Sequence, residues 1–129
     1  MKFLTCSKDG VETFGAVTDA GVVDLGKRHP ELPDLREAIR QGKLGELAVE
    51  ASSADADFSL EGITYLPTIP NPEKIICIGV NYMNRNAEYK DGSEAPKYPS
   101  VFMRARESLT GPDQPLILSL IHISEPTRH

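Results

Sequence analysis

Apolar residues mixed with polar ones gather in three short runs at the start of the chain, bounded by polar, glycine-containing turns. Residues 2–7, 12–18 and 22–25 carry this pattern, and it predicts three strands, each with one face turned to a core. Lys8-Asp9-Gly10 and Asp19-Ala20-Gly21 separate them, and each turn ends on a glycine able to take the positive φ that a tight connection demands. A meander of this size is marginal alone and needs a helix over one face. The spacing then lengthens. Leu35, Ala38 and Ile39 recur at helical spacing behind Asp34, a good N-cap, until Gly42 stops the helix. Leu44, Leu47, Ala48 and Ala51 continue that spacing in a second helix, whose start is weakened by Gly45. Residues 52–57 are small and acidic and read as a loop. A strand over 63–66 leads into Pro67-Thr68-Ile69-Pro70-Asn71-Pro72, where three prolines in six residues predict a stiff, extended connector. The domain boundary is placed there, after residue 66.

The next apolar run, Ile75-Ile76-Cys77-Ile78-Gly79-Val80, has no polar face, as expected of a strand buried on both sides. The character flips at its end. Asn81 can cap a following helical turn, and Arg85, Glu88 and Tyr89 share one helical face at spacings of three and four. With Asn81 and Tyr82 at its rim, this is a candidate strand-end site, although an Arg and a Glu three apart on a helix are more often a solvated ion pair than a site. Residues 89–97 are polar and turn-rich and read as a surface loop, a place from which lids are drawn. Residues 98–104 return to strand. Arg104 and Arg106 stand two apart, so on a continuing strand they would face the same way and could hold a carboxylate or enolate, or be two solvated arginines.

Composition narrows the classes. A formal net charge of −5, with both signs interspersed, argues against nucleic acid or an anionic membrane surface as partner. No run is long and apolar enough to span a bilayer, and the amino terminus does not read as a signal peptide, so a cytoplasmic protein is expected. Cys6 and Cys77 are the two cysteines; both fall in expected strands without Cys-x-x-Cys spacing, which predicts buried free thiols. His29, beside Pro30, has no evident partner cluster and reads as a surface or packing histidine.

The segment Asn71-Pro72-Glu73-Lys74-Ile75-Ile76-Cys77-Ile78-Gly79-Val80-Asn81-Tyr82, followed by Glu88, resembles the entry to the catalytic domain of the fumarylacetoacetate hydrolase family. Tyr98-Pro99-Ser100-Val101-Phe102-Met103-Arg104, and then Ser108-Leu109-Thr110-Gly111, are similar to that family's next strand and the turn after it. The resemblance runs nearly to Leu118 and takes in the leading domain found in many bacterial members. It implies an α+β chain: a small meander with covering helices over 1–66, then the incomplete start of a β-rich catalytic domain over 67–118. From Ser119 the sequence leaves the family pattern and resembles a translated sequencing-library adapter, so 119–129 are expected to be a non-native tail, His122 and Glu125 included.

Within the resemblance, Glu88 matches the family's acidic position. Arg85 stands where most catalytic members have a histidine that activates water with an acidic partner. An arginine stays protonated and can anchor an anion but not act as that base. Arg104 replaces a lysine, keeping the charge and changing the donor geometry. The family holds magnesium or manganese through carboxylates of a Glu-x-Glu strand and a later Asp, none of which this chain contains, so no metal is expected to be held by it. What the resemblance implies is a metal-dependent hydrolase, lyase or isomerase of small oxo-carboxylates or β-dicarbonyl acids, homodimeric at full length, as in the catabolism of aromatic compounds. Glu88 and Arg85 would be the catalytic pair and Asn81, Tyr82 and Arg104 the substrate-binding residues, with the 129-residue chain expected to be inactive. The alternative is a binding or dimerisation module with no chemistry of its own.

Overall fold

The computed structural model describes residues 1–79 and 98–115. They fall into two compact units, Met1–Pro70 together with the chain from Thr110, and Asn71–Leu109. The first division lies at Pro70, within the proline connector.

The first unit is an α+β fold. Strands β1 (Lys2–Lys8), β2 (Val11–Thr18) and β3 (Gly21–Asp24) form the meander, and β4 (Ile63–Tyr65) adds to the free side of β1, giving the order β3-β2-β1-β4. All pairings are antiparallel, with Phe3 opposite Ala16, Thr5 opposite Phe14 and Ala16 opposite Val23. That register puts Phe14, Ala16 and Val23 on one face, where they pack with Leu25, Leu32, Leu35, Ala38, Leu47 and Ala51. These last six come from the helical layer: α1 (Leu25–Arg28), α2 (Leu35–Arg40), α3 (Leu44–Ser53) and the link between α1 and α2. The opposite face is not bare. Leu4, Cys6 and Val22 are buried there with Val17, Phe58, Ile63 and Tyr65 against them, so the sheet is apolar on both sides along β1 and β2.

Local chemistry accounts for the helix starts. The Asp34 side chain accepts from the Glu37 N–H at 2.7 Å and caps α2, which leaves one fewer orphan donor in the first turn. Asp24 does the same for α1, accepting from the Lys27 N–H at 3.0 Å. The single turn of α1 absorbs Leu25, which the apolar run had assigned to the third strand; a buried leucine satisfies either period, and the cap at Asp24 decides. Similarly, Ser52 and Ser53 belong to α3 and not to the loop after it. Their hydroxyls donate back to the carbonyls of Val49 and Glu50, which lets polar residues end a helix without a glycine.

One connection was hidden in the acidic loop. Phe58 bridges to Val22, whose N–H donates to the Phe58 carbonyl at 2.8 Å, while the Asp57 N–H donates to the Val22 carbonyl at 2.8 Å. Gly21 sits at φ +143°, and a Cβ on it would collide with the Phe58 carbonyl oxygen. Only glycine permits this approach. At the other edge, Gly111 is buried beside the Tyr65 carbonyl, which brings the chain from Thr110 back to the first unit.

The second unit is built on a ribbon of β5 (Ile75–Gly79) and β6 (Ser100–Arg104), antiparallel, with Ile75 opposite Arg104 and Gly79 opposite Ser100. A 3-10 turn over Arg106–Ser108 follows. Burial of β5 on both sides is corrected here: Ile76 is 62% and Ile78 61% exposed. Among the described residues, the two-stranded sheet supplies one neighbour to β5 and leaves that face exposed. Both thiols are free, Cys6 fully buried and Cys77 partly so; burial, first, and then the charge of Asp24 push the Cys6 thiol above its ordinary range.

Candidate functional site

Gly79 is the last described residue of β5, so Asn81, Tyr82, Arg85 and Glu88, and the loop over 89–97, lie outside the described residues. The same holds for the tail over 119–129. Of the expected site residues, Arg104 is described. It ends β6 opposite Ile75, whereas the chain leads on toward Asn81 from Gly79, at the other end of the ribbon. Four residue steps along a strand separate those ends by roughly 13 Å. Within the ribbon, then, Ser100 and not Arg104 is the β6 residue opposite Gly79.

Arg104 has a local role of its own. Its guanidinium lies over the Phe102 ring, 5.5 Å from the centroid, a cation–π distance. The same ring extends toward Gly79, where an added Cβ would meet it at 3.3 Å. Residues alternate across a strand, so Phe102 and Arg104 share a face with Cys77, while Val101 and Met103 share the other with Ile76 and Ile78. The pairing of Arg104 with Arg106 along one strand face is corrected: β6 stops at Arg104, and Arg106 opens the 3-10 turn, its Nε donating to Glu107 at 3.1 Å. The turn redirects the backbone, and the period-two geometry ends with it.

The first unit contains a cleft of about 360 Å³ lined by Lys8, Val11, Glu12, Thr13, Asp24, Gly26, Lys27 and Phe58. Its central carboxylate is already committed to structure. Asp24 accepts from the Thr13 hydroxyl at 2.6 Å and from the Lys27 N–H at 3.0 Å. Behind it, Asp57 accepts from the Asp24 N–H at 2.8 Å and from Arg28 at 2.9 and 3.2 Å. The Asp24 N–H, and then Arg28, hold the Asp57 carboxyl below its ordinary value. These bonds lock the corner between β3 and α1, and the lowered Asp57 carboxyl lacks the raised affinity for protons that acid–base catalysis uses.

His29 has more partners than the sequence suggested. Its Nδ1 is 3.1 Å from Glu31 and its Nε2 2.7 Å from Glu50, and these residues, 2 and 21 positions away, give no local signature. Among the described residues no group of three His, Cys, Asp or Glu side chains could hold a metal ion. The described residues therefore do not fit the magnesium or manganese of the family resemblance.

No family model matches the sequence. Comparison with characterised proteins is more informative. The chain is 35% identical over 101 residues to the mitochondrial oxaloacetate tautomerase of Xenopus laevis, covering 74% of this chain and 30% of that protein. It is 28% identical over 113 residues to a human mitochondrial oxaloacetate tautomerase, covering 84% and 34%, and 29% identical over 113 residues to the Bacillus subtilis oxaloacetate tautomerase YisK, covering 74% and 38%. The chain belongs to the fumarylacetoacetate hydrolase family. The chain spans about a third of the length of these relatives. An HpcE-like protein of Mycobacterium smegmatis shares the fold, with a TM-score of 0.66 at 23% identity over 92% of this chain and 41% of that one. The relatives in this family are named as tautomerases, not as carbon–carbon hydrolases, and the vertebrate ones as mitochondrial. Among the described residues, no helix is long and apolar enough to cross a membrane.

Proposed function

We propose that this chain forms part of an enzyme that interconverts the enol and keto forms of a small oxo-dicarboxylate. The observation that carries the reading is the 35% identity to an oxaloacetate tautomerase over 101 residues. Residue chemistry supports the tautomerase over the hydrolase. Hydrolysis of a carbon–carbon bond needs a base to activate water, and Arg85 stands where that histidine is expected. Tautomerisation consumes no water. One proton leaves the carbon beside the carbonyl and one reaches the carbonyl oxygen, so a single carboxylate suffices as proton carrier.

In this reading Glu88 moves the proton, Arg85 anchors a substrate carboxylate, and Asn81 and Tyr82 line the pocket. Arg104 contributes positive charge from the ribbon. A divalent cation, if the working protein held one, would supply Lewis-acid stabilisation of the enolate oxygen. The 129-residue chain is further proposed to be inactive alone, and the working protein to be a homodimer of chains as long as the relatives.

The test is made on the coding frame extended to the relatives' length, supplied with magnesium or manganese, by following loss of enol absorbance of oxaloacetate. Acceleration is expected, and Glu88→Gln should reduce it by roughly 10²–10⁴-fold, the usual contribution of a positioned acid–base group. A protein that cleaves a β-dicarbonyl acid but leaves the enol–keto rate of oxaloacetate unchanged would overturn the assignment.

A further inference from the structure

We propose that His29 acts as an imidazolium latch that fastens the 29–33 segment to α3 and releases it in alkaline solution. Both ring nitrogens face carboxylate oxygens, Nδ1 at 3.1 Å from Glu31 and Nε2 at 2.7 Å from Glu50. A carboxylate can only accept, and a neutral imidazole has one N–H to give. Both contacts are therefore hydrogen bonds only when the ring carries two protons. With one, a nitrogen lone pair confronts a carboxylate, and half of the latch becomes repulsive.

The position gives the latch something to hold. The His29 N–H donates to the Leu25 carbonyl and closes α1, and its carbonyl accepts from the Leu32 N–H, each at 2.8 Å. Leu32 is 1% exposed and enters the core beside Leu47 and Ala51 of α3. Glu50 stands on α3 between those two core residues in sequence. A charge at His29 thus ties the backbone that delivers Leu32 to the helix against which Leu32 packs.

Glu50 and Glu31 are the charged side chains facing the ring. Lys43, at the N-cap of α3, acts on Glu31, and neighbouring Arg28 of α1 is engaged by Asp57 and the Asp55 carbonyl. The hydrogen bond to Glu50, above all, raises the His29 pKa, opposed in part by desolvation, and Glu31 is held below its ordinary value. The sign follows: with the folded value above the ordinary 6.5, the latch contributes in full below that value and is lost as pH rises through the higher one.

The experiment is an NMR titration of the His29 ring in the 129-residue chain, assigned by its loss in His29→Gln. The midpoint should lie above the free-histidine value and fall in Glu50→Gln. Thermal unfolding supplies a second reading: His29→Gln should lower the midpoint at about pH 6 and match the parent at about pH 9, because only the charged ring makes both bonds. A His29 that titrates at or below 6.5, or a His29→Gln deficit equal at both pH values, would overturn the latch.

Discussion

Asp57 shows how much one side chain can fix when its partners come from different elements. It accepts from the Asp24 N–H, closing the end of β3, and from Arg28 of α1, while its own N–H pairs with Val22. Asp57→Asn keeps an acceptor and loses the charge, so it should cost about 1 kcal/mol at neutral pH, the partly exposed pair being discounted for screening. The carboxyl is depressed from an ordinary 3.8, so its contribution is present above that value and lost as pH falls through the lower folded one. Urea unfolding of the two proteins should therefore converge in acid; a gap that persists there would assign the effect to shape, not charge. Gly21→Ala adds a Cβ against the Phe58 carbonyl at a positive φ and should cost about 2 kcal/mol or more, read by the same unfolding curves. Legibility in the sequence followed distance along the chain. Asp34 could be read as a cap because its acceptance from Glu37 spans three residues. Asp57 could not, since Arg28 lies 29 residues away and Asp24 33, and nothing in the run from Ser52 to Asp57 distinguishes it from a solvated acid. The same reason hid Glu50, 21 residues from His29.

At the scale of elements, the spacing of apolar residues predicted both longer helices and, with the glycine turns between short apolar runs, the meander, because a half-buried helix writes its own face into the sequence and a tight turn its own glycine. It failed at β5, where every position of Ile75-Ile76-Cys77-Ile78 is apolar. Such a run records that both faces are meant to be covered and says nothing about which segments cover them. In the ribbon, Ile76, Ile78, Val101 and Met103 share one face and are each more than 60% exposed, an arrangement prone to association. Replacing Ile76 and Ile78 together with lysine should lower the light scattering of the 129-residue chain at a given concentration, while the far-ultraviolet signal of the first unit's helices is retained. Scattering that does not change would mean that this face takes no part in association. Arg104 carries the companion lesson. Its charge was readable from the sequence, but its place opposite Ile75, at the ribbon end away from Gly79, depends on register, which the alternation of a strand does not specify without its partner.

For the whole molecule, the family and the α+β class were readable because ordered motifs and their spacings survive without a core calculation. The return of the chain from Thr110 to the first unit was not, since it rests on Gly111 lying against Tyr65, 46 residues earlier by their numbers. The arrangement also sets what a metal can do. A ligand that binds the folded state alone stabilises it by about 2.7 kcal/mol at a hundredfold excess over its dissociation constant. If the 129-residue chain is inactive for want of a seat for the cation, as proposed, magnesium or manganese should leave its unfolding midpoint unmoved at constant ionic strength. The frame extended to the relatives' length should instead gain a concentration-dependent rise if that longer protein seats the cation. Calcium and sodium controls separate such binding from salt screening. A saturable rise in the 129-residue chain itself, specific to magnesium or manganese, would place the seat within these residues. It would also remove the reason for proposing that this chain is inactive alone, leaving the enol–keto assay on the same preparation to decide whether Glu88 already works there.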